Sequence, residues 1–330
     1  MTHLALHRRK ALGDVLLTLP LALELRAAGH TVSVRTDPRL QPLLDRCGAL
    51  TRCPTGAVEL DLQRPRSAVP GLGGGLGRPP LLDPLRRLLH RPTHLDGVHT
   101  LDRYRAAAGL PPGPLPILAR GSLLDVEGDD GGRGEEVVRV GLVPTASHGA
   151  RSVPAEALAF ACAVVAARSG RPVTAVVLAG GAEPPTRAVV DHLRRVACVV
   201  DVDTRALSGG PVRLAELVAG CDLVVGADTG PLHLAQALDV PSLVLFGPTS
   251  VTRWGPWRAS ARAYTAGLAC SPCSGHGQTP CRFGHRACLT GWSPSGLASA
   301  LEGLEAAGPG SWVGGRARRV TIKFDTHSPS

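Results

Sequence analysis

The sequence is poor in lysine and in aromatic side chains. Of its 36 basic residues only Lys10 and Lys323 are lysines, and aromatic residues make up 3% of the chain. Neither lysine is followed by serine or threonine, so the Gly-Lys-Ser/Thr core of a P-loop is missing and Walker-type nucleotide hydrolysis is excluded. Only Lys10 is placed to form a Schiff base. No stripe of basic and aromatic residues occurs, so we predict no nucleic-acid partner.

Long hydrophobic runs are also missing from the sequence. The apolar stretch 15–25 is interrupted by Pro20 and Glu24, and it lacks the small-residue cleavage site of a signal peptide. No run approaches the roughly 18 apolar residues of a membrane span. We therefore expect a cytoplasmic protein with at most peripheral membrane contact.

The chain is nevertheless long and apolar enough to fold. Hydrophobic residues make up 44% of the sequence and charged residues 19%, which is ordinary globular usage and excludes wholesale disorder. A length of 330 residues corresponds to about two domains. The formal net charge of +9 suits an anionic partner such as a phosphorylated substrate, and an arginine-rich solvated surface would account for it equally well.

Segments with strand and helix spacing alternate along the chain in two series. The first predicts strands at 3–9 and 31–35, a turn at 12–14, and helices at 15–28 and 95–110, with Pro/Gly-rich loops and a reduced sheet edge over 54–132. The second predicts strands at 137–143, 173–179, 197–202, 222–226 and 242–246, and helices at 154–168, 185–195, 211–219 and 231–238. This alternation indicates α/β domains with parallel sheets.

A charged, glycine-rich run at 127–136 separates the two series and is typical of a linker. We predict an N-terminal domain at 1–133, a C-terminal domain at 134–305 and a tail at 306–330. The glycine run at 71–77 does not spell G-x-G-x-x-G and follows no strand, so a dinucleotide fingerprint is absent. Ligands of doubly wound sheets bind at the carboxyl ends of the strands, where we expect the chemistry to lie.

The most informative segment is 222–238, an apolar strand followed by Asp228-Thr229-Gly230 and a helix beginning at Pro231. Proline is well placed at the first helical position. Free amides at the start of this helix and its dipole form an anion site suited to a diphosphate. The amides we expect there belong to Thr229, Gly230 and Leu232. Asp228 could instead serve as the helix N-cap.

Two further interpretations concern this segment. His233 faces back into the turn and is either a ligand-side group beside the phosphate or a structural histidine. Asp228-Thr229-Gly230 also matches half of an aspartic protease site, which needs two carboxylates that share one proton. The chain has no second Asp-Thr/Ser-Gly, so the protease interpretation is set aside.

Four cysteines near the C-terminus have spacing compatible with a structural zinc site. They are Cys270, Cys273, Cys281 and Cys288, with two histidines between them. In a reducing compartment the alternatives are zinc, free thiols or late oxidation. The sequence leaves these three open.

Several motifs together closely resemble those of glycosyltransferase family 9, the ADP-heptose heptosyltransferases. They are the segments 10–20 (KALGDVLLTLP), 99–109 (HTLDRYRAAAG), 226–233 (GADTGPLH) and 245–249 (LFGPT), together with the cysteine cluster. They occur in the family's order and span nearly the whole chain. The agreement is far more specific than any single motif.

The resemblance implies a GT-B fold, in which two Rossmann-like domains face each other across a cleft. The C-terminal domain would hold an ADP-sugar donor and the N-terminal domain a sugar-containing acceptor. It also implies metal-independent transfer with inversion, with no cofactor required. One carboxylate would take the acceptor proton while fixed positive dipoles stabilise the leaving diphosphate.

The resemblance also assigns roles to individual residues. Asp14 matches the general base, with a helix-capping aspartate as its alternative, and Gly13 lets the backbone turn on the acceptor side. The donor side would comprise Asp228, Thr229, Gly230, Leu232 and His233, with the facing loop Gly247, Pro248 and Thr249. The segment 142–154 departs from the family's Lys-Arg-Trp-Pro: Arg151 stands at the lysine and Val153 at the tryptophan. Thr145 and Ser147 there are candidate phosphate donors.

We therefore predict an inverting glycosyltransferase that moves heptose or a related sugar from an ADP-sugar to a hydroxyl or amine. The acceptor would be the lipopolysaccharide inner core or a small natural product such as an aminoglycoside or nucleoside antibiotic. The alternatives are a sugar-nucleotide epimerase or hydrolase of the same fold, or a non-catalytic sugar-nucleotide-binding protein. We expect a monomer or a weak homo-oligomer.

Overall fold

The computed structural model describes residues 2–9, 11–62, 97–111, 121–132, 136–179 and 184–306. The first domain contains a parallel sheet of order β2-β1-β3 in the described residues. Its strands are β1 (His3–His7), β2 (Thr31–Arg35) and β3 (Val58–Asp61). Its helices are α1 (Leu12–Leu16), α2 (Thr18–Ala27), α3 (Gln41–Leu44) and α4 (Thr100–Ala107). The glycine run at 71–77 lies outside the described residues.

The segment after β1 differs from its prediction. Residues 12–14 were expected as a turn, but α1 already begins at Leu12. The single helix expected at 15–28 is divided at Leu17 into α1 and α2. Pro20 explains the break, because it has no N–H to donate to the carbonyl of Leu16 and its ring would clash with that carbonyl. The break leaves α1 as a short separate helix that carries Asp14.

The second domain is a doubly wound sheet of six parallel strands in the order β6-β5-β4-β7-β8-β9. The strands are β4 (Val138–Val143), β5 (Val173–Val177), β6 (Val199–Asp203), β7 (Leu223–Ala227), β8 (Ser242–Phe246) and β9 (Ala261–Thr265). The helices are α5 (Ala155–Ser169), α6 (Pro184–Leu193), α7 (Pro211–Ala219), α8 (Gly230–Ala237), α9 (Val251–Trp254), α10 (Ala287–Thr290) and α11 (Pro294–Ala306).

The strand order reverses between β4 and β7, which are neighbours in the sheet although β5 and β6 lie between them in sequence. Such a reversal opens a crevice at the carboxyl ends of the two strands, and this crevice is where doubly wound sheets bind ligands. Here the loops after Val143 and Ala227 meet at that point. The predicted α/β fold with parallel sheets is confirmed.

The strands of the second sheet are mostly apolar because helices cover both faces. All residues of β4, β5, β7 and β8 are buried. One apolar cluster lies between this sheet and α5 and α11, with Leu158, Val165 and Leu301 fully buried. The structure contains the five strands and the four helices that the sequence predicted in this domain. Their bounds differ from the predicted ones by no more than two residues.

One stretch is long and apolar enough to span a membrane by length and composition. It covers Gly149–Ser169 and has a mean hydropathy of 1.4, contrary to our expectation that no run approaches such a length. The stretch contains a 3-10 turn at Gly149–Arg151 followed by α5. Its apolar side is explained by packing, because α5 contacts β4, β5 and β7 together with α6 and α11.

The two domains share a continuous apolar core. A second cluster of buried side chains includes Leu6 and Leu16 of the first domain and Leu232 and Leu234 of α8 in the second. The stretch 121–132 is tied to both domains: the amide of Leu123 donates to the carbonyl of Ala237 at 2.8 Å, and the amide of Asp125 donates to the carbonyl of Arg46 at 2.7 Å. The predicted boundary at 133/134 and the predicted tail, apart from Ala306, lie outside the described residues.

We predict that Gly226→Ala destabilises the protein by about 3 kcal/mol. Gly226 precedes the last residue of β7 and has φ of 153°, and a Cβ there would lie 2.2 Å from the carbonyl oxygen of Val143. The methyl group would push β7 away from β4 at the switch point. Urea unfolding measures the loss. Gly149→Ala is the matched control, because nothing lies within 4 Å of its Cβ, and a loss of similar size in both variants would contradict the prediction.

Candidate active site

A cleft of about 380 Å³ opens at the switch point, between the carboxyl ends of the two sheets. Both domains and a later loop line it. Its lining residues are Ala11, Leu12, Gly13, Asp14, Ser147, His148, Arg151, Asp228, Thr229, Gly230, Pro231, His233, Trp254, His276 and Gln278.

Asp14 forms the first-domain side of the cleft. It lies in the first turn of α1, and its carboxylate is paired with the guanidinium of Arg8, which follows β1. Arg8 also donates to the carbonyl of Leu62 at 3.1 Å, so the pair is fixed to the sheet edge. The Asp14 side chain is 12% exposed. The N-cap of α1 is Ala11, with no side-chain capping bond, so Asp14 is not the capping residue of the alternative interpretation.

Gly13 lets the two domains approach each other at this point. A Cβ on Gly13 would lie 2.6 Å from Cδ2 of His233, the ring on α8. Contacts between α1 and α8 are extensive. The close approach of the two helices therefore requires glycine at this position. Gly13 was predicted for the acceptor side, but it lies where the first domain meets the second.

The first turn of α8 provides the second-domain side of the cleft, but its cap differs from our expectation. The N-cap is Thr229, and Asp228 does not cap the helix. The Asp228 carboxyl instead points inward and accepts a hydrogen bond from the hydroxyl of Thr249 at 2.7 Å. The amide of Leu232 donates to the carbonyl of Thr229 at 3.0 Å, so it is not one of the free amides we predicted. Leu232 is a core residue, 1% exposed.

Burial shifts the pKa values of two groups in this turn. Asp228 is 4% exposed, and burial raises its pKa to about 6. His233 is 5% exposed, and burial, with the nearby charges of His99 and Arg151, lowers its pKa to about 3. Its Nε2 lies 3.9 Å from Oδ1 of Asp228, but a neutral imidazole forms no ion pair there. Nδ1 of His233 is buried without a hydrogen-bond partner among the described residues.

Arg151 is the cation closest to this turn. Its Nη1 donates to the carbonyl of Asp228 at 2.6 Å and its Nη2 donates to the hydroxyl of Ser147 at 2.9 Å. Its Nε is buried and has no hydrogen-bond partner in the described structure. Burial lowers the pKa of Arg151, against the opposing effect of Asp228 and Asp14. Arg151 lines the cleft, so its guanidinium is a candidate partner for an anionic ligand there.

Five residues predicted for the donor side do not line the cleft: Thr145, Leu232, Gly247, Pro248 and Thr249. Thr249 acts through Asp228, as described above. Gly247 follows β8, and a Cβ there would lie 2.6 Å from Cγ of Leu289, so this glycine serves packing. Thr145 follows β4 but is not part of the lining.

Sequence reasoning missed the four polar or aromatic residues of the cleft lining that were not among the predicted site residues. His148 lies beside the predicted Ser147, whereas Trp254, His276 and Gln278 come from α9 and from the cysteine-containing segment after β9. We had considered that segment only for metal binding. The segment has no regular helix or strand, and tertiary contacts bring it to the cleft. No periodic pattern in the sequence would therefore have indicated these residues.

The four cysteines line one small cavity of about 20 Å³, together with Pro248 and Arg286. They are free thiols. Within the described ranges, no group of three or more His, Cys, Asp or Glu side chains is arranged to hold a metal ion. The structural zinc site that their spacing suggested stays a prediction. Backbone amides around Cys281 lower the pKa of its thiol.

Comparison with known proteins gives one family. Residues 142–282 match the model of glycosyltransferase family 9 (heptosyltransferase). Lipooligosaccharide heptosyltransferase 2 of Campylobacter jejuni is 35% identical over 82 residues, which are 24% of this chain and 25% of that protein. Lipopolysaccharide heptosyltransferase 1 of Pseudomonas aeruginosa is 43% identical over 60 residues, 18% of this chain and 17% of that protein. The alignments with these curated relatives thus span a quarter of their length or less.

Solved structures resemble the whole fold. A glycosyl transferase family 9 protein from Veillonella parvula has a TM-score of 0.59 at 19% identity, covering 92% of this chain and 97% of that chain. The E. coli ADP-heptose lps heptosyltransferase II has a TM-score of 0.55 at 17% identity, covering 92% of this chain and 98% of the other. At these identities the likeness concerns the fold, and it confirms the predicted GT-B architecture.

We predict that Asp228→Asn gains stability relative to the natural protein as pH rises. The folded pKa of Asp228 is raised from 3.8 to about 6. The protonated carboxyl therefore contributes stability that is complete below about pH 4 and is lost as pH rises through about 6. The neutral amide still accepts from Thr249 and avoids this loss. The difference in unfolding free energy should grow by about 2 kcal/mol between pH 4 and pH 7.

Urea unfolding at four pH values across that interval measures the difference. Asp45→Asn, at an exposed carboxylate on the first domain, is the control for the general effect of removing one negative charge. Parallel stability curves for Asp228→Asn and the natural protein would show that the buried carboxyl does not titrate in this range.

Proposed function

We propose that this chain, whose residues 142–282 match the model of glycosyltransferase family 9, transfers a heptose from ADP-heptose, with inversion, to an acceptor hydroxyl or amine. One observation carries the proposal: a carboxylate of the first domain, Asp14, and the open N-terminus of α8 in the second face the same 380 Å³ cleft. Transfer needs a base on one side of the sugar and an anion site on the other.

The donor diphosphate would bind at the first turn of α8. The amides of Thr229 and Gly230 lie at the open end of this eight-residue helix, where its dipole is positive. Arg151 lies next to this turn and lines the cleft, so its positive charge would attract a phosphate group there. Ser147 holds the other end of the guanidinium and faces the cleft. These groups would stabilise the charge on the leaving diphosphate.

Asp14 would act as the general base. The acceptor oxygen or nitrogen attacks the anomeric carbon and forms the new bond, while the bond from that carbon to the diphosphate breaks and its electron pair leaves with the nucleotide. The proton of the acceptor passes to the carboxylate of Asp14. Arg8 orients that carboxylate toward the cleft from the end of β1, and the contact of α1 with α8 sets its distance from the donor.

The acceptor proposed first is a sugar of a lipopolysaccharide inner core. The support for it is that the matched relatives from C. jejuni and P. aeruginosa are named as lipooligosaccharide and lipopolysaccharide heptosyltransferases. A small natural product such as an aminoglycoside or nucleoside is the alternative acceptor. The proposal places the enzyme in the cytoplasm, with at most peripheral contact to the membrane that carries such a glycolipid.

Calorimetric binding of ADP, UDP and GDP to the metal-free protein tests the donor side first. We expect ADP to bind at least tenfold more tightly than UDP or GDP, a preference of about 1.4 kcal/mol. Arg151→Ala should lower the affinity for ADP by about tenfold, because it removes a charge-assisted contact with the diphosphate. Preference for another nucleotide would keep the fold and overturn the ADP-heptose assignment.

Asp14→Asn tests the catalytic assignment. We expect transfer from ADP-heptose to fall by about 10²-fold to 10⁴-fold, because the amide cannot accept the proton, while the affinity for ADP stays within about twofold. Asp45→Asn is the control at an exposed carboxylate of the same domain. Full transfer by Asp14→Asn would remove Asp14 from the mechanism. Donor consumption by the natural protein without any acceptor would instead support a hydrolase or epimerase.

A further inference from the structure

The segment between β9 and α10 forms a wall of the cleft that the proposed mechanism does not use. It runs from residue 266 to residue 286 without a regular helix or strand. Its middle part brings His276 and Gln278 to the cleft lining, beside Trp254 of α9. Two polar side chains therefore face the same space as Asp14 and Arg151.

Hydrogen bonds hold this wall in place. The amides of Cys273 and Ser274 both donate to the carbonyl of Pro248 at 2.9 Å, in the loop after β8. The indole Nε1 of Trp254 donates to the carbonyl of Gly275 at 3.0 Å, and the amide of Gly277 donates to the hydroxyl of Ser274 at 2.9 Å. His276 lies between Gly275 and Gly277, whose backbone groups these hydrogen bonds fix. A specific polar contact requires a side chain held on such a fixed backbone.

The wall also lies directly against the proposed diphosphate site. Gly277 has φ of 75°, and a Cβ there would lie 2.6 Å from Cγ of Arg151. The backbone next to His276 thus packs on the side chain of the cation that would hold the diphosphate. In the proposed mechanism, a donor with its phosphates at Arg151 carries its sugar on the side that faces Asp14, and His276 lines this same cleft.

The environment of His276 suits a contact with an uncharged polar ligand. Its half-buried ring lies with its centroid 5.2 Å from that of Trp254. Burial lowers its pKa, as do Arg253, Arg151 and Arg8, while Asp14 acts in the opposite direction. A neutral imidazole offers one N–H donor and one acceptor nitrogen. None of the described residues hydrogen-bonds this ring, so both groups are available in the cleft.

We propose that His276, with Gln278 beside it, hydrogen-bonds hydroxyl groups of the transferred sugar and determines which sugar the enzyme accepts. The inference rests on the proposed function. In the transfer, the anomeric carbon must lie between the base and the leaving diphosphate, and the imidazole lines the same cleft as Asp14 and Arg151. A site that hydrogen-bonds hydroxyls rejects sugars that lack them, because its polar groups would then remain unpaired.

The experiment compares binding and turnover for two ligands that share the nucleotide, ADP and ADP-heptose. We expect His276→Ala to lower kcat/KM for ADP-heptose by about tenfold to a hundredfold, while the dissociation constant of ADP stays within about twofold. His276→Asn keeps a donor and an acceptor and should recover part of the loss. Phe283→Ala, at a side chain that is 56% exposed on the same segment and outside the cleft lining, should behave as the natural protein.

Each other outcome has a distinct meaning. An equal loss of affinity for ADP and ADP-heptose in His276→Ala would overturn the inference, because the residue would then act on the nucleotide or on the fold. Unchanged kinetics would overturn it too. If the natural protein itself fails to bind ADP-heptose, the proposed function fails and the inference falls with it. If the natural protein transfers heptose and the His276 variants do so equally well, the inference alone is rejected.

Discussion

The close approach of α1 and α8 at Gly13 is the constraint on which the site depends. A side chain larger than hydrogen at this position would overlap the ring of His233, and the two helices would separate. Their separation would carry Asp14 away from the open end of α8. The apolar cluster that stabilises this contact includes Leu16 of α1 and Leu234 of α8. The distance between the two domains in the cleft is therefore set by core packing.

This packing determines the charge of the cleft. Burial keeps the imidazole of His233 neutral and raises the pKa of Asp228 to about 6. His233 therefore adds no positive charge next to the proposed anion site, and Asp228 loses its negative charge only below about pH 6. The cation Arg8 is matched by Asp14. Among the described residues that line the cleft, Arg151 is the arginine. The cleft therefore favours one compact anion near Arg151, with a carboxylate on the opposite side.

The sequence predicted the elements of the second domain well, because buried parallel strands are short apolar runs flanked by turn residues. The bounds of β2, β8 and α7 are those predicted. The edge strand β9 was missed, because Ala261–Thr265 includes arginine and tyrosine and lacks a continuous apolar run. The capping role considered for Asp228 was also wrong. Its carboxyl accepts a hydrogen bond from Thr249, which lies 21 residues away in sequence. A local sequence pattern does not show such a distant partner.

The net charge of +9 had suggested an anionic partner, but three of the arginines have structural roles in ion pairs away from the cleft. Asp129 of the linker accepts from Arg205 at 2.7 Å and from Arg213 at 2.5 Å, and Asp203 binds both Arg205 and the buried Arg139. Burial acts to raise the pKa of Asp203, yet these hydrogen bonds lower it to about 2. The network pins the linker to the second domain. Recognition of an anionic donor therefore depends on the local field of α8 and Arg151, since charges farther than about 10 Å are largely screened at physiological salt.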